Sequence, residues 1–214
     1  MNKRILEILM GVMLLAIMIL MIIDVSNNRL SQDEINFKWE YERFNGKQNL
    51  SHVKYVTVDI KEDNNVIYLD SKKTINFLNK KTGVLFFGYP ESNYSRNAIG
   101  VLLSMTDDNV YYFNAYAIRD EKVKVDDEIV TRKEGTKDYY KILDILGKNA
   151  EPYEEIEDDN SKRLYFPTIL FVKNGKIVYM HSGTVDGNMV SKVLSKSDIK
   201  ELKGIYKKGF EKLK

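Results

Sequence analysis

Leu85-Phe86-Phe87-Gly88-Tyr89-Pro90-Glu91-Ser92-Asn93-Tyr94-Ser95-Arg96-Asn97 is the stretch on which the fold turns. Gly83 to Gly88 encloses a continuous apolar run, Val84-Leu85-Phe86-Phe87. Such runs suit a strand buried on both faces at the centre of a sheet. Gly88-Tyr89-Pro90 turns the chain, and a helix opens on Ser92, a residue type that caps helix starts. Behind it Ala98, Ile99, Leu102, Leu103 and Met105 recur at helical spacing until Asp107-Asp108-Asn109 ends the helix.

On either side of this unit the pattern alternates strand and helix. Upstream, Val53 to Ile60 alternates in the manner of a strand. Asp63-Asn64-Asn65 makes a turn into the short apolar patch Val66-Ile67-Tyr68-Leu69. Ser71 is the expected cap of a helix carrying Ile75 and Leu78, with Lys80 and Lys81 near its C-terminal dipole and Gly83 closing it. Downstream, Val110 to Tyr116 is a further strand. Strand, helix, strand, helix, strand predicts parallel pairing with helices covering the sheet.

The remainder is less regular. Arg119 to Lys133 is charged, with Val123, Val125, Ile129 and Val130 placed for a small hairpin. Thr136 to Leu146 is a helix ended by Gly147. Glu151 to Asn160, with six acidic residues, reads as a solvated loop without calcium-loop spacing. In Leu164-Tyr165-Phe166-Pro167-Thr168-Ile169-Leu170-Phe171-Val172-Lys173-Asn174-Gly175-Lys176-Ile177-Val178-Tyr179-Met180, two apolar strands flank Asn-Gly, a strong hairpin signal. Ser197-Asp198 is placed to cap a last helix, with Ile199, Leu202, Tyr206, Phe210 and Leu213 on one side and lysines on the other. Those lysines read as a solvated face.

Composition narrows the function. The 214 residues carry 33 basic and 31 acidic side chains, a balance that offers nucleic acid no basic face. The chain contains no cysteine, so disulfides, thiolate metal sites and thiol nucleophiles are excluded. His52 and His181 have no ligand-like spacing. No metal or other cofactor is expected.

At the N-terminus, Lys3 and Arg4 precede an apolar segment over residues 5–23, broken only by Glu7. At 1.5 Å per residue, its length roughly matches a hydrocarbon core of about 30 Å. The expectation is a transmembrane anchor over 5–23, with residues 1–4 cytoplasmic by the positive-inside rule. The rest of the chain would then be extracytoplasmic at the cell membrane. A cleaved signal peptide is the rival, but no small-residue cleavage site stands out. Residues 24–50 would form a tether and an arm, Ile35 to Phe44, too aromatic to be a free linker.

The strand ending in Phe87-Gly88-Tyr89-Pro90-Glu91, the helix start at Ser92 to Ser95, Phe166-Pro167-Thr168 before a hairpin, and the final helix together resemble the thioredoxin-like superfamily. More closely, they resemble bacterial membrane-tethered or secreted thioredoxin-like proteins of the bacteriocin-transport-accessory kind. In that group the phrase reads F-G-x-P-x-C-x-x-C; here Ser92 and Ser95 occupy both cysteine places. Tyr112, Ile118-Arg119-Asp120, Lys133 to Thr136 and Tyr139-Tyr140 also resemble that group. The resemblance covers a domain over 51–214 with an insert over 119–163. It implies an α/β fold, a central mixed sheet flanked by helices, and a cis bond at Phe166-Pro167.

A thiol at position 92 would be favoured as thiolate by the helix dipole, and one at 95 would resolve a mixed disulfide. Serine does neither. Ser92 and Ser95 are therefore degenerate catalytic positions, left by descent or by replacement of cysteine, unless the likeness is of fold alone. The expected function is a redox-inactive binding or accessory module for an extended peptide or a secreted protein. The implied contact surface is Tyr89, Pro90, Glu91, Asn93, Tyr94, Phe166, Pro167 and Thr168. Two alternatives stand beside it: a thiol–disulfide oxidoreductase if the parent carries cysteine at 92 and 95, and a membrane-anchored scaffold whose interface lies on the 119–160 insert.

Overall fold

A computed structural model describes residues 11–18, 30–189 and 192–214. The chain divides into two compact units, Met1–Gln32 and Asp33–Lys214. In the first, residues 11–18 are helical. The expected transmembrane anchor is corrected: among the described residues, no helix is long and apolar enough to cross a membrane. The rest of 5–23, the residues 1–4 and most of the 24–31 tether lie outside the described residues. The cell-membrane localisation, with its cytoplasmic N-terminus and extracytoplasmic domain, rested on that span and is withdrawn with it.

The second unit is α/β. Its central sheet has the order β1 (Val66–Tyr68), β3 (Val110–Phe113), β2 (Gly83–Phe87), β8 (Thr168–Lys173), β9 (Lys176–Ser182). β1, β3 and β2 run parallel, and β8 and β9 continue antiparallel, so the sheet is mixed. The helices are α1 (Gln32–Glu42), α2 (Ser71–Lys80), α3 (Asn93–Leu103), α4 (Lys137–Leu146) and α5 (Lys196–Leu213). Successive strand residues face opposite sides. Phe86, Ile169 and Phe171 enter one core with Phe37, Tyr41, Tyr112, Leu202 and Tyr206. Leu85, Phe87, Leu170 and Val172 enter the other with Phe77, Leu78, Tyr139 and Ile142. That double burial is why both strands read as unbroken apolar runs. Asn174 and Gly175 take positive φ, 51° and 72°, in the two-residue turn that joins β8 to β9.

The structure differs from the sequence reading at several elements. Val53 to Ile60 forms no strand. It is extended, but its alternate backbone groups are held by side chains. The Val56 N–H donates to Asn93 Oδ1 (2.7 Å), the Val58 N–H to Asn45 Oδ1 (3.1 Å) and the Ile60 N–H to Glu42 Oε1 (2.8 Å). The carbonyls of Lys54, Val56, Val58 and Ile60 accept from Asn93, Arg96, Asn45 and Lys38. Lys54 makes one isolated antiparallel bridge with Gln48, and from Val56 on, amide, guanidinium, ammonium and carboxylate groups replace a neighbouring strand, which is why alternation alone misreads the segment.

The aromatic arm is helix α1, with Phe37 and Tyr41 fully buried. α2 is capped by Asp70 rather than Ser71, and α5 by Ser195, which forms a capping box with Asp198. β3 stops at Phe113 instead of running to Tyr116. The acidic stretch is not a loop throughout. β6 (Glu151–Tyr153) pairs with β7 (Asp158–Arg163) because Tyr153 and Ile156 are buried and pin it down. With the hairpin β4 (Glu121–Val125)–β5 (Glu128–Lys133), it makes up the insert, whose strands pair only with each other.

Candidate functional site

The C-terminal ends of β2 and β3 emerge on one edge of the sheet, because the strands are parallel and Phe87 lies opposite Phe113. On the other side of β2, Phe87 lies opposite Thr168, so the residues before β8 reach the same edge. The stretch after β2, the stretch after β3 and the approach to β8 therefore meet. Such an edge is the usual ligand position in open α/β sheets.

Three aromatic rings make up this meeting point. Tyr89 stacks on Tyr116 with centroids 4.6 Å apart and meets Phe166 edge-on at 5.6 Å. The Arg119 guanidinium lies 4.8 Å from the Tyr116 ring centre and 5.2 Å from that of Phe166. Tyr116 is 47% exposed, whereas Tyr89 and Phe166 are half-buried and Phe166 packs against the core that holds Phe87 and Tyr139, so the cluster runs from that core to the surface. Burial, then the neighbouring Tyr116, push the Tyr89 hydroxyl above its usual range, so it stays a neutral donor.

Beside the cluster lie the two serines. Ser92 is the N-cap of α3, and its Oγ accepts the Ser95 N–H at 3.2 Å. Ser95 is fully buried, and its Oγ accepts the Tyr89 N–H at 3.4 Å. Both hydroxyls thus hold the turn together. Neither histidine reaches them: His181 Nε2 bonds to the Thr184 carbonyl, and His52 to the Gln48 side chain. No group of three metal-ligating side chains occurs among the described residues.

The remaining predicted residues fall into two groups. Glu91 is exposed, 4.0 Å from Arg43, and Tyr94 is half-buried with its hydroxyl donating to the Asn188 carbonyl at 3.3 Å. Pro90, Asn93, Pro167 and Thr168 are buried. Asn93 is committed to the backbone of Lys54 and Val56. Thr168 Oγ1 donates to the Tyr165 carbonyl and shares a bond with Ser182 Oγ. The Phe166–Pro167 bond is cis, and the Pro167 carbonyl accepts the Gly183 N–H at 2.8 Å.

Sequence reasoning missed Tyr116, Arg119 and Arg96 as site residues. The first two were findable: in a parallel pair, residues just past one strand end lie beside those just past the other. Arg96 gave no signal, since nothing in its neighbourhood predicts a buried cation. It is fully buried, and its guanidinium donates to the Val56, Tyr41 and Pro90 carbonyls and to Asn45 Oδ1. It ties α1, the extended segment and the Pro90 turn to α3. Burial lowers its pKa from the ordinary arginine value, and nearby Tyr41, Tyr55 and Glu91 oppose that. No family model matches the chain, and neither a curated protein nor a solved structure matches it.

Proposed function

We propose that the Asp33–Lys214 unit is a thioredoxin-like binding module, redox-inert in this sequence, that holds an extended peptide segment at the edge where β2, β3 and β8 meet. The observation that carries this reading is the cluster of exposed Tyr116 with half-buried Tyr89 and Phe166, with Arg119 across it. Rigid aromatic rings and an arginine are the side chains that most often dominate protein recognition. The mixed sheet, the cis bond before β8 and the Ser92-capped helix support the thioredoxin-like part of the reading. With no cysteine in the chain, nothing at this edge can exchange disulfides.

The test is selection of a random peptide library on the protein, followed by calorimetry of the selected peptides. Tyr116→Ala and Arg119→Ala should each weaken binding by about tenfold or more, which is about 1.4 kcal/mol. Both side chains reach the surface, so folding should survive. Selected peptides whose affinity neither substitution changes would remove the site from this edge.

A second reading keeps one observation in its favour. Ser92 and Ser95 stand one turn apart at a helix N-terminus, where cysteines would make an exchange-competent pair. A Ser92→Cys/Ser95→Cys protein tests it by insulin reduction; a folded protein without activity would sink it.

A further inference from the structure

The extended segment 54–60 has two edges. In an extended chain the N–H and C=O of one residue point to one edge, and those of the next residue to the other. The edge of Val56, Val58 and Ile60 is closed by side chains from Asn93, Arg96, Asn45, Glu42 and Lys38. On the opposite edge the Tyr55 N–H donates to the Lys47 carbonyl at 3.0 Å. Beyond it, the N–H and C=O of Thr57 and Asp59 have no hydrogen-bond partner among the described residues, and both residues are exposed. They offer two donors and two acceptors at strand spacing.

This open edge borders a groove. Two cavities, of about 290 and 110 Å³, share Asp59, Gly100 and Ser104 in their walls, so they join beside α3. A water needs roughly 10–15 Å³ on this measure, so both can take side chains. The walls of the larger cavity include Val56 to Asp59 from the segment and Val193, Leu194, Ile199 and Lys203 from the chain around the start of α5. Asn97 fixes the second of these walls, its amide donating to the Lys192 carbonyl at 2.9 Å and its oxygen accepting the Leu194 N–H at 3.4 Å. Val193 is left 67% exposed. Gly100 is exposed and has nothing within 4 Å of its Cβ position. Glycine is the poorest helix former but for proline, and no contact here requires it. A side chain at 100 would stand in the groove, in both cavities.

The two cavities differ in chemistry. Val193, Leu194 and Ile199 make one wall of the larger apolar. The smaller is lined by Asp59, Asp63 and Asp107, with Lys61 as the only cation in its lining. Lys61 Nζ is 3.9 Å from Asp107 Oδ1, whereas Asp59 and Asp63 make no ion pair among the described residues. Lys38 feels the charge of Asp59, but Glu42 holds it at 2.9 Å. Lys203 lines the larger cavity and not the smaller. A second copy pairing through the same segment would bring its own Asp59, Glu62 and Asp63 to these carboxylates, and like charges across paired strands repel. We propose that this groove is a second peptide site, separate from the aromatic cluster. An extended segment of a partner protein adds as a strand to the Thr57–Asp59 edge, with an apolar side chain at Val193 and Ile199 and a lysine or arginine at Asp59 and Asp63.

The probe is the peptide acetyl-Lys-Thr-Val-Thr-Lys-Thr-Val-amide, whose lysines and valines share one face in either strand direction. It is titrated into the isotope-labelled full chain and followed by NMR. Saturable shifts should centre on Thr57 and Asp59, and glutamate in place of lysine should weaken binding about tenfold or more. Gly100→Leu should weaken it as much without lowering the melting temperature, because leucine is the better helix former. Asp59→Asn with Asp63→Asn should cut the lysine preference to about twofold or less. Methylating alternate peptide nitrogens separates strand addition from loose adhesion. One alternate set should abolish binding and the other should leave it within about twofold, because only one edge of the peptide meets the protein. Tyr116→Ala should change nothing here, so failure at this groove leaves the peptide reading of the aromatic cluster standing.

No shift at Thr57 and Asp59, equal effects of the two methylated sets, or full affinity in Gly100→Leu overturns the proposal. So does a dimer of the free chain that Gly100→Leu dissociates, which would assign the groove to a second copy. Hydrogen exchange tests the open edge without any ligand. The Thr57 and Asp59 amides should exchange about tenfold or more faster than those of Val56, Val58 and Ile60, and equal protection of all five would close the edge and overturn the site.

Discussion

Arg96 shows how one side chain can organise a site it does not form. Its guanidinium donates to three backbone carbonyls and one amide oxygen from three segments, with no carboxylate partner among the described residues. Replacing it with methionine would leave the Val56 and Pro90 carbonyls without their donor, whereas Asn45 Oδ1 and the Tyr41 carbonyl keep the Val58 and Phe44 N–H groups. At about 1–3 kcal/mol each, Arg96→Met should destabilise the unit by about 3 kcal/mol or more in urea unfolding. Arg96→Lys, which keeps the charge but loses the fork, should recover only part of that. A loss below about 1 kcal/mol would mean that the acceptors find water instead. At this scale the sequence was half legible. Ser92 as a helix cap follows from residue type and position, and so does the cis bond at Phe166–Pro167 once the resemblance is granted. The destination of Asn93, Asn45 and Arg96 does not, because their partners lie tens of residues away on elements the sequence does not place.

Helix α5 is the element whose packing makes the sharpest contrast. It presents Gly209 to the sheet, where an added Cβ would come within 2.3 Å of the Phe171 ring, while Gly204 on the same helix has nothing within 4 Å of its Cβ position. Alanine is the better helix former by about 1 kcal/mol. Gly204→Ala should therefore stabilise the protein by up to about 1 kcal/mol, and Gly209→Ala should destabilise it by about 1–3 kcal/mol through overpacking. Thermal melts of the pair measure both signs; the same sign for both would refute the packing argument. From sequence the two glycines are equivalent, since both interrupt an amphipathic helix. Elements whose pattern reflects their own burial, such as β2, β8 and α4, were readable. Those whose backbone is completed by distant side chains, such as residues 54–60, were not, and neither was the acidic β6–β7 pair, which Tyr153 and Ile156 pin down.

At the scale of the Asp33–Lys214 unit, the two hairpins of the insert pair with no strand of the central sheet. Its two hairpins share a link, Lys124 Nζ to Glu157 Oε2 at 2.7 Å. The hydrogen bond from Lys124, then its charge, lower the Glu157 pKa, and Glu157 in turn raises that of Lys124. A depressed carboxylate contributes above its unfolded pKa, about 4.3, and loses that contribution as pH falls through the lower folded value. The raised lysine contributes below about 10.4 and loses its contribution above its folded value. The link should hold through neutral pH, opening in acid below the ordinary glutamate range and in base above the ordinary lysine range. The Lys124 ε-methylene NMR shift should show the acid inflection, and Glu157→Gln should abolish it; persistence of the inflection would assign it to another carboxylate. Parallel pairing was legible from the strand–helix alternation, and the last antiparallel pair from Asn174-Gly175, but the order β1-β3-β2-β8-β9 was not. The span assigned to residues 5–23 was read from hydropathy, and among the described residues no helix is long and apolar enough to cross a membrane.

The extended segment 54–60 carries a liability of its own. Val53-Lys54-Tyr55-Val56-Thr57-Val58 is rich in β-branched and aromatic residues, has low net charge and lacks proline and glycine, the composition of fibre-forming segments. What keeps it from stacking with other copies is a set of side-chain clasps, with Asn45 gripping both the N–H and the C=O of Val58. Asn45→Ala opens that clasp without touching the sheet. Prolonged incubation of this variant should yield thioflavin-positive fibres where the parent protein stays clear, and an equally clear variant would show that the other clasps suffice. A chain that shapes a strand but withholds it from any sheet must guard it, and here Asn45, Asn93 and Arg96 are the guards.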